Sequence, residues 1–194
     1  MSFLPTLQGR LASAFLVATS VLWIGCASES ERTPSMDGAL PAINAKMTES
    51  IHELGVANAS IPADGLLCAG QLTQEQMDAL SRLGFESFVS LRVATENGAG
   101  WEESHAAATG VEFQRLPVAG ADGIDEATAR MLAGMMADAK RPMVVYCGSS
   151  NRVGALLALK AFHVDGMPAE QAIEFGKTAG LKSLEPKVRE ELDQ

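Results

Sequence analysis

Cys147 and Arg152 are the residues of this sequence whose types and spacing most clearly predict chemistry. They bracket a loop of four small residues. An apolar run from Met143 to Tyr146 precedes the cysteine, and a helical pattern of apolar residues follows the arginine. This pattern predicts a buried strand, a tight turn, and a helix that begins at the turn.

A turn of this kind gathers groups that bind anions. Backbone N–H groups and the N-terminus of a helix point at one place, and the same surroundings favour the nucleophilic thiolate of Cys147. The planar guanidinium of Arg152 can hold two oxygens of a tetrahedral anion. We therefore predict covalent chemistry on an anionic substrate; a structural cysteine at a strand end is the alternative. The predicted anion-binding loop consists of Gly148, Ser149, Ser150 and Asn151.

The segment Tyr146–Gly154, which reads YCGSSNRVG, resembles the active-site loop of cysteine phosphatases and rhodaneses. It is most similar to the phosphatase-like domain of the beta-lactamase hydrolase-like family, whose loop typically reads His-Cys-x-Ser-Gly-Asn-Arg-x-Gly. Weaker similarities extend over about the last 140 residues, through GLLCAGQL near Gly65, GFESFVSLR near Gly84 and AGLKSL near Ala179. The resemblance implies a cysteine-phosphatase-like fold and hydrolysis of a phosphate ester through a thiophosphoryl-enzyme, with no cofactor.

The loop departs from that family at several positions. Tyr146 stands where a histidine is usual, Ser150 replaces a glycine, and Val153 stands where tyrosine phosphatases place a Ser or Thr. Only four residues separate Cys147 from Arg152, as in the shorter loops of rhodaneses. Two alternatives therefore stay open: a rhodanese-like sulfurtransferase that carries a persulfide on Cys147 and takes a sulfane-sulfur substrate, and a non-catalytic anion-binding domain of the cell envelope.

The resemblance also implies supporting residues. Phosphoryl transfer needs an acid for the leaving oxygen and then a base for water. Asp122 follows Pro117 in the loop where related phosphatases often carry this acid; a solvated loop aspartate is the alternative. Family members often show Leu-Arg with a nearby Glu, so Arg92 and Glu96 are predicted to line the pocket. A surface ion pair would explain them equally well.

Cys68 is a possible redox partner of Cys147. In an oxidising compartment a disulfide between them would switch off the nucleophile reversibly, as a neighbouring cysteine does in some cysteine phosphatases. A buried structural cysteine is the alternative. No metal site is predicted, since no two histidines have a metal-ligand spacing. The histidines are His52, His105 and His163.

The first 25 residues resemble a secretory signal. Arg10 is the only charged residue before Glu29, and an apolar run follows it. The Gly-Cys pair ending at Cys26 resembles a bacterial lipoprotein cleavage site. We therefore expect export to the periplasmic side of the cell envelope and contact with the membrane through a lipid on Cys26. Cleavage before Ser28 and a retained membrane anchor are the alternatives.

The rest of the chain divides into a tether and one domain. Residues 26–46 are rich in Ser, Glu, Pro and Ala and predict a flexible tether. Residues 47–194 are enough for one domain. Their alternating strands and helices predict an α/β fold with a central, mainly parallel sheet of about four to five strands flanked by helices. Ligands bind at the carboxyl ends of such strands, where Cys147, Arg92 and the loop after Pro117 all fall.

The charge of the chain argues against one class of partner. The formal net charge is −9 at pH 7, and no cluster of Lys and Arg interrupts the acidic character. A nucleic acid is therefore not expected as a partner.

Overall fold

The computed structural model describes residues 43–193, in which helices and strands alternate as the sequence predicts. The helices are α1 (Ala45–Glu53), α2 (Gln74–Arg82), α3 (Glu102–Thr109), α4 (Glu126–Asp138), α5 (Asn151–His163), α6 (Ala169–Thr178) and α7 (Glu185–Leu192). The strands are β1 (Ser60–Ala63), β2 (Leu66–Ala69), β3 (Ser87–Ser90), β4 (Glu112–Arg115) and β5 (Met143–Tyr146). The predicted signal, the lipidation at Cys26 and most of the predicted tether lie outside the described residues. Within residues 43–193, none of the helices is long and apolar enough to span a bilayer.

The five strands form one sheet in the order β1-β2-β5-β3-β4. Four of them run parallel, and β1 pairs antiparallel with β2 at the edge. This confirms the predicted α/β fold with a central, mainly parallel sheet. The sequence analysis assigned neither β1 nor α1. Pro62 lies within β1, and proline cannot donate to a strand ladder, so it is tolerated in a sheet mainly at an edge.

Helices cover both faces of the sheet, and the central strands are therefore buried on both sides. Successive side chains of a strand point to opposite faces. One set packs with α4, α5, α6 and α7, and the other with α1 and α2. The first set includes Cys68, Val89, Val145 and Cys147, and the second includes Leu67, Phe88, Val144 and Tyr146. Cys147 and Tyr146 therefore contact different layers of the fold.

Two helices begin at residues whose side chains cap them. Thr73 caps α2 through a reciprocal pair of hydrogen bonds, in which its Oγ1 accepts from Gln76 N at 3.2 Å and its N–H donates to Gln76 Oε1 at 3.1 Å. The Asp125 carboxylate accepts from Thr128 N at 2.7 Å at the start of α4. Both contacts satisfy donors that a helix N-terminus leaves unpaired.

A contact between two glycines sets the distance between α5 and α6. A Cβ on Gly154 would lie 2.1 Å from Leu181 N and 2.5 Å from Gly176 O. A Cβ on Gly176 would in turn lie 2.6 Å from Gly154 O. Only glycine permits backbones to approach this closely. The contact fixes the first turns of α5, the helix that begins at the Cys147 loop.

Candidate active site

The loop after β5 is hydrogen-bonded to β2 and to the residues that follow it. Cys147 N donates to Ala69 O at 3.2 Å, and Gln71 N donates to Gly148 O at 3.2 Å. Cys147 is 1% exposed, so its side chain is buried while the next two residues are exposed. The thiol therefore lies at the carboxyl edge of the sheet, where parallel α/β proteins bind ligands.

Five backbone N–H groups next to Cys147 make no hydrogen bond to another described residue. Two precede α5, and three belong to its first turn, where helix geometry supplies no acceptor. The donors are those of Gly148, Ser149, Asn151, Arg152 and Val153. Three of the four predicted loop residues are among these donors, and their role in binding an anion stays a prediction.

The guanidinium of Arg152 joins three strand ends. Its Nη1 donates to Glu96 Oε1 at 2.7 Å, and its Nη2 donates to Glu96 Oε2 at 2.8 Å. Nη1 also donates to Val118 O at 2.6 Å and approaches Leu91 O at 3.4 Å. Leu91 follows β3 and Val118 follows β4, so the strand ends that the sequence predicts to be close share one side chain.

The ion pair sets the charge on both partners. The hydrogen bond from Arg152 is the largest cause that lowers the pKa of Glu96, to about 2. Glu96 in turn is the largest cause that raises the pKa of Arg152, and interaction with Cys147 raises it further. Arg152 Nε donates to none of these oxygens. Glu96 therefore fixes the guanidinium through Nη1 and Nη2 in a position where it interacts with Cys147, and Nε is left as a donor for an anion.

Arg92 lies beside this pair and donates three hydrogen bonds to its own loop. It is 3% exposed. Its Nη2 donates to Asn97 O at 2.6 Å, its Nη1 donates to Gly98 O at 2.9 Å, and its Nε donates to Glu96 Oε2 at 3.4 Å. The sequence predicts Arg92 as a residue that lines the pocket. In the structure residues 93–98 fold around the Arg92 guanidinium. This loop places Glu96 against Arg152.

The side chains of Ser150 and Asn151 point away from an anion, toward the segment that follows α6. Ser150 Oγ donates to Ala179 O at 2.8 Å. Asn151 Oδ1 accepts from Lys182 N at 2.8 Å, and its Nδ2 donates to Ser183 Oγ at 2.8 Å. These contacts attach the loop to residues 179–183. Only the backbone groups of Ser150 and Asn151 are therefore left for the anion-binding role.

Ser150 adopts a backbone conformation that favours glycine. Its φ is +66°, which accounts for the glycine usual at this position in the family that the loop resembles. Gly180 lies directly against it, since a Cβ there would be 2.6 Å from Ser150 Cβ. A serine is therefore accommodated where the opposing residue has no side chain and a carbonyl accepts its hydroxyl.

Asp122 lies on the same loop as Val118, which contacts Arg152. Its side chain is exposed, and it forms no hydrogen bond or ion pair with Cys147, Arg152 or Glu96. Its role as general acid stays a prediction. The neighbouring Asp125 caps α4.

Cys68 and Cys147 are free, buried thiols on the same face of the sheet. Cys68 lies in register with Val145, two residues before Cys147. Burial is the largest cause that raises the pKa of Cys68, and the proximity of Cys147 raises it further. Cys68 is therefore a poor nucleophile by itself, and a disulfide with Cys147 stays a prediction.

Metal-ligating side chains do not cluster in the described part of the chain, where no group of three His, Cys, Asp or Glu could hold an ion. Two of the three histidines pair with single carboxylates instead. His105 Nε2 lies 2.7 Å from Asp78 Oδ1, and His163 Nδ1 lies 3.6 Å from Glu126 Oε2.

The sequence analysis missed Glu102, a buried acid close to these residues. Its side chain is 0% exposed, and its carboxylate lies 2.9 Å from Arg115 Nη2 and 3.6 Å from Arg92 Nη1. An acidic residue in the first turn of a helix is ordinarily a surface residue that interacts with the helix dipole. Nothing local in the sequence therefore marks Glu102 as buried.

Solved structures with the same fold are cysteine-phosphatase-like proteins. A phosphatase candidate from Neisseria meningitidis Z2491 is 21% identical, with a TM-score of 0.57 over 68% of this chain and 94% of that chain. A DUF442 phosphatase candidate from Shewanella putrefaciens CN-32 is 18% identical, with a TM-score of 0.55 over 74% of this chain and 92% of that one. TpbA of Pseudomonas aeruginosa, in a complex with phosphotyrosine, is 18% identical, with a TM-score of 0.52 over 72% and 84% respectively.

These identities are low, and they establish the fold alone. No protein-family model matches the sequence, and no curated protein is detectably similar to it. The fold is therefore that of a cysteine phosphatase, with a sheet of five strands flanked by helices.

Proposed function

We propose that this chain is an exported, cysteine-dependent phosphatase-like hydrolase that acts on a phosphate ester. One observation carries the proposal: Glu96 fixes the Arg152 guanidinium through Nη1 and Nη2, and the same guanidinium interacts with Cys147. An arginine fork beside a thiolate and unpaired amides suits a tetrahedral dianion. The fold shared with TpbA, whose structure contains phosphotyrosine, also favours a phosphate-bearing substrate.

The proposed reaction has two displacements at phosphorus. The Cys147 thiolate attacks phosphorus and forms an S–P bond, while the bond to the ester oxygen breaks and that oxygen takes a proton from an acid, for which Asp122 is the candidate. Water then attacks phosphorus and gives a proton to the acid that was deprotonated in the first step, the S–P bond breaks, and phosphate and the thiolate are released. Arg152 and the loop amides stabilise the equatorial oxygens in both steps.

The test compares the wild type with Cys147→Ser and with Cys68→Ser under reducing conditions. Hydrolysis of p-nitrophenyl phosphate is measured by release of p-nitrophenol. We expect the wild type and Cys68→Ser to be active and Cys147→Ser to lose at least about 10³-fold, because the nucleophile is removed. Equal activity in Cys147→Ser would contradict the proposal.

Sulfur transfer is the second candidate, and two observations favour it. The loop has only four residues between Cys147 and Arg152, and Asp122, the proposed acid, is exposed. A persulfide on Cys147 would need no such acid. The same preparations are therefore tested for thiocyanate formation from thiosulfate and cyanide. Cys147-dependent thiocyanate without release of p-nitrophenol would replace the phosphatase proposal; neither product from a folded protein with free thiols would favour a binding role.

Export and lipidation are proposed from the sequence of the first 26 residues. We propose that Cys26 carries a lipid that holds the domain on the periplasmic side of the cell envelope. Expression of the full chain with and without Cys26→Ser in a bacterium, followed by separation of membranes, tests this. We expect the wild type in the membrane fraction and the variant outside it. The wild type in the soluble fraction would contradict the lipid anchor.

A further inference from the structure

The last residues of three neighbouring strands form a row across the sheet beneath the candidate site. Ser90 of β3 lies in register with Tyr146 of β5 on one side and with Arg115 of β4 on the other. Residues in register share a face, and the next residue of a strand points to the opposite one. The row therefore lies on the face opposite Cys147, one residue away from it along β5.

The carboxylate of Glu102 lies against this row, and it is fully buried. Arg115 is 2.9 Å away and Arg92 is 3.6 Å away. The two carboxylate oxygens of Glu102 accept no hydrogen bond of good geometry, and the Tyr146 hydroxyl forms none either. Burial raises the pKa of Glu102. Burial, followed by the negative charge of Glu102, also raises the pKa of Tyr146.

A buried carboxylate with such contacts is weak as a source of stability. Removing charges from water costs several kcal/mol each, and apolar replacements of buried ion pairs are often neutral or stabilising. Stability therefore does not explain why a carboxylate lies at this position. The side chains that it touches indicate another role.

Charges alternate from Glu102 to the candidate site. Arg92 lies between Glu102 and Glu96, with its Nη1 3.6 Å from the former and its Nε 3.4 Å from the latter. Glu96 in turn binds Arg152 through both oxygens. Arg115, the other partner of Glu102, donates from Nη1 to Arg92 O at 2.7 Å. Glu102 thus holds the side chain of Arg92 directly and its backbone through Arg115.

We propose that Glu102 is a positioning residue of the Cys147 site: it holds Arg92, and through Arg92 it keeps Glu96 aligned on Arg152. Its catalytic consequence rests on the proposed function. The orientation of Arg152 beside the Cys147 sulfur does not rest on the proposed function. This orientation governs how readily the thiolate forms. A purely structural Glu102 would affect the stability of the fold and leave that thiolate unchanged.

The test uses two neighbouring acids of α3. Glu103 also binds Arg115, through both Nε and Nη2, but it is half exposed and makes no contact with Arg92. Glu102→Gln and Glu103→Gln are compared with the wild type. Alkylation of Cys147 by iodoacetamide in the full chain is followed by mass spectrometry of its peptide, at pH 7 and at pH 9.5. The ratio of the two rates reports the thiolate fraction at neutral pH.

We expect Glu102→Gln to lower the ratio about fivefold and Glu103→Gln to change it less than about twofold, because Glu102 contacts Arg92 and Glu103 does not. Glu102→Gln in a Glu96→Gln background should lower it no further, since the two residues act in series. An unchanged ratio in Glu102→Gln, or equal losses in both single variants, would overturn the proposal.

Two additions keep the test decisive. If Glu102→Gln does not fold, Arg92→Lys takes its place; it keeps a positive charge but loses the planar fork, so the ratio must fall in the same way. An unchanged ratio in Arg92→Lys would overturn the proposal. Hydrolysis of p-nitrophenyl phosphate is measured on the same samples. An inactive wild type would defeat the proposed phosphatase activity, while the alkylation ratios would still decide the role of Glu102.

Discussion

The loop from Cys147 to Arg152 is supported on one side by charges and on the other by close packing of small residues. The charged side acts on one side chain, the Arg152 guanidinium, through ion pairs. It consists of Arg92, Glu96, Glu102 and Arg115. The packed side acts on the backbone, through glycines with no space for a Cβ and through neutral hydrogen bonds. It consists of Ser150, Asn151, Gly154, Gly176 and Gly180.

The two kinds of support should fail differently. Backbone contacts at van der Waals distance cannot adapt to an added atom, so a change there disturbs the fold itself. The Arg152–Glu96 ion pair is partly exposed and contributes little to stability, but it sets the direction in which the guanidinium points. A change at Glu96 should therefore leave a folded protein that has a misaligned Arg152.

The packed side should give the largest loss of stability. In Gly154→Ala the new Cβ would meet Leu181 N at 2.1 Å, so α5 and α6 must separate. We expect the free energy of unfolding to fall by about 3 kcal/mol or more. Gly134→Ala in α4 is the matched control, because nothing lies within 4 Å of its Cβ. It should stabilise by up to ~1 kcal/mol. Urea denaturation measures both, and similar effects in the two variants would contradict the packing argument.

The charged side should give a loss of activity with a small loss of stability. Glu96→Gln keeps the shape of the side chain but removes the charge that aligns Arg152. We expect kcat/KM for p-nitrophenyl phosphate to fall by roughly 10²-fold, as for a misplaced catalytic group. Glu126→Gln is the control, since that acid pairs with Arg130 on the surface of α4. A variant at Glu96 that keeps full activity, or that unfolds as Gly154→Ala does, would remove the distinction between the two sides.

Two substitutions of Ser150 distinguish the effect of backbone strain from the effect of a lost hydrogen bond on the packed side. Ser150→Ala keeps the positive φ and leaves Ala179 O without its donor, so we expect a loss of about 1–2 kcal/mol. Ser150→Gly also removes that donor but relieves the strain of the left-handed conformation by about 1 kcal/mol. It should therefore be close to the wild type in urea denaturation. If the glycine variant is the less stable of the two, strain at Ser150 is not the dominant effect.

The charged and packed sides also differ in how far the sequence could predict them. The strand, turn and helix around Cys147 are local patterns, and the parallel sheet follows from their alternation along the chain. Glu96 was predicted because it lies four residues after Arg92 in a segment that resembles a known motif. Glu102, in α3, was missed because its burial depends on Arg115, a residue of β4. A local pattern contains no information on such a pairing.

The packed side was also beyond a reading of local patterns. Ser150 departs from the glycine of the family that the loop resembles, and the departure is explained only by Ala179 and Gly180, which follow another helix. The edge strand β1 was missed for a different reason: it contains a proline and none of its residues is fully buried, and a proline within a short run argues against a strand.

Acid should weaken the charged side and spare the packed side. The pKa of Glu96 is lowered from its ordinary value of 4.5 to about 2, so the unfolded chain binds a proton there before the folded chain does. The stability contributed by the pair is fully present above pH 4.5 and is lost as the pH falls through about 2. The difference in urea midpoint between the wild type and Glu96→Gln should therefore shrink between pH 5 and pH 2, while the difference for Ser150→Ala stays constant. A constant difference for Glu96→Gln would mean that the ion pair contributes no pH-dependent stability, and that Glu96 only sets the direction of Arg152.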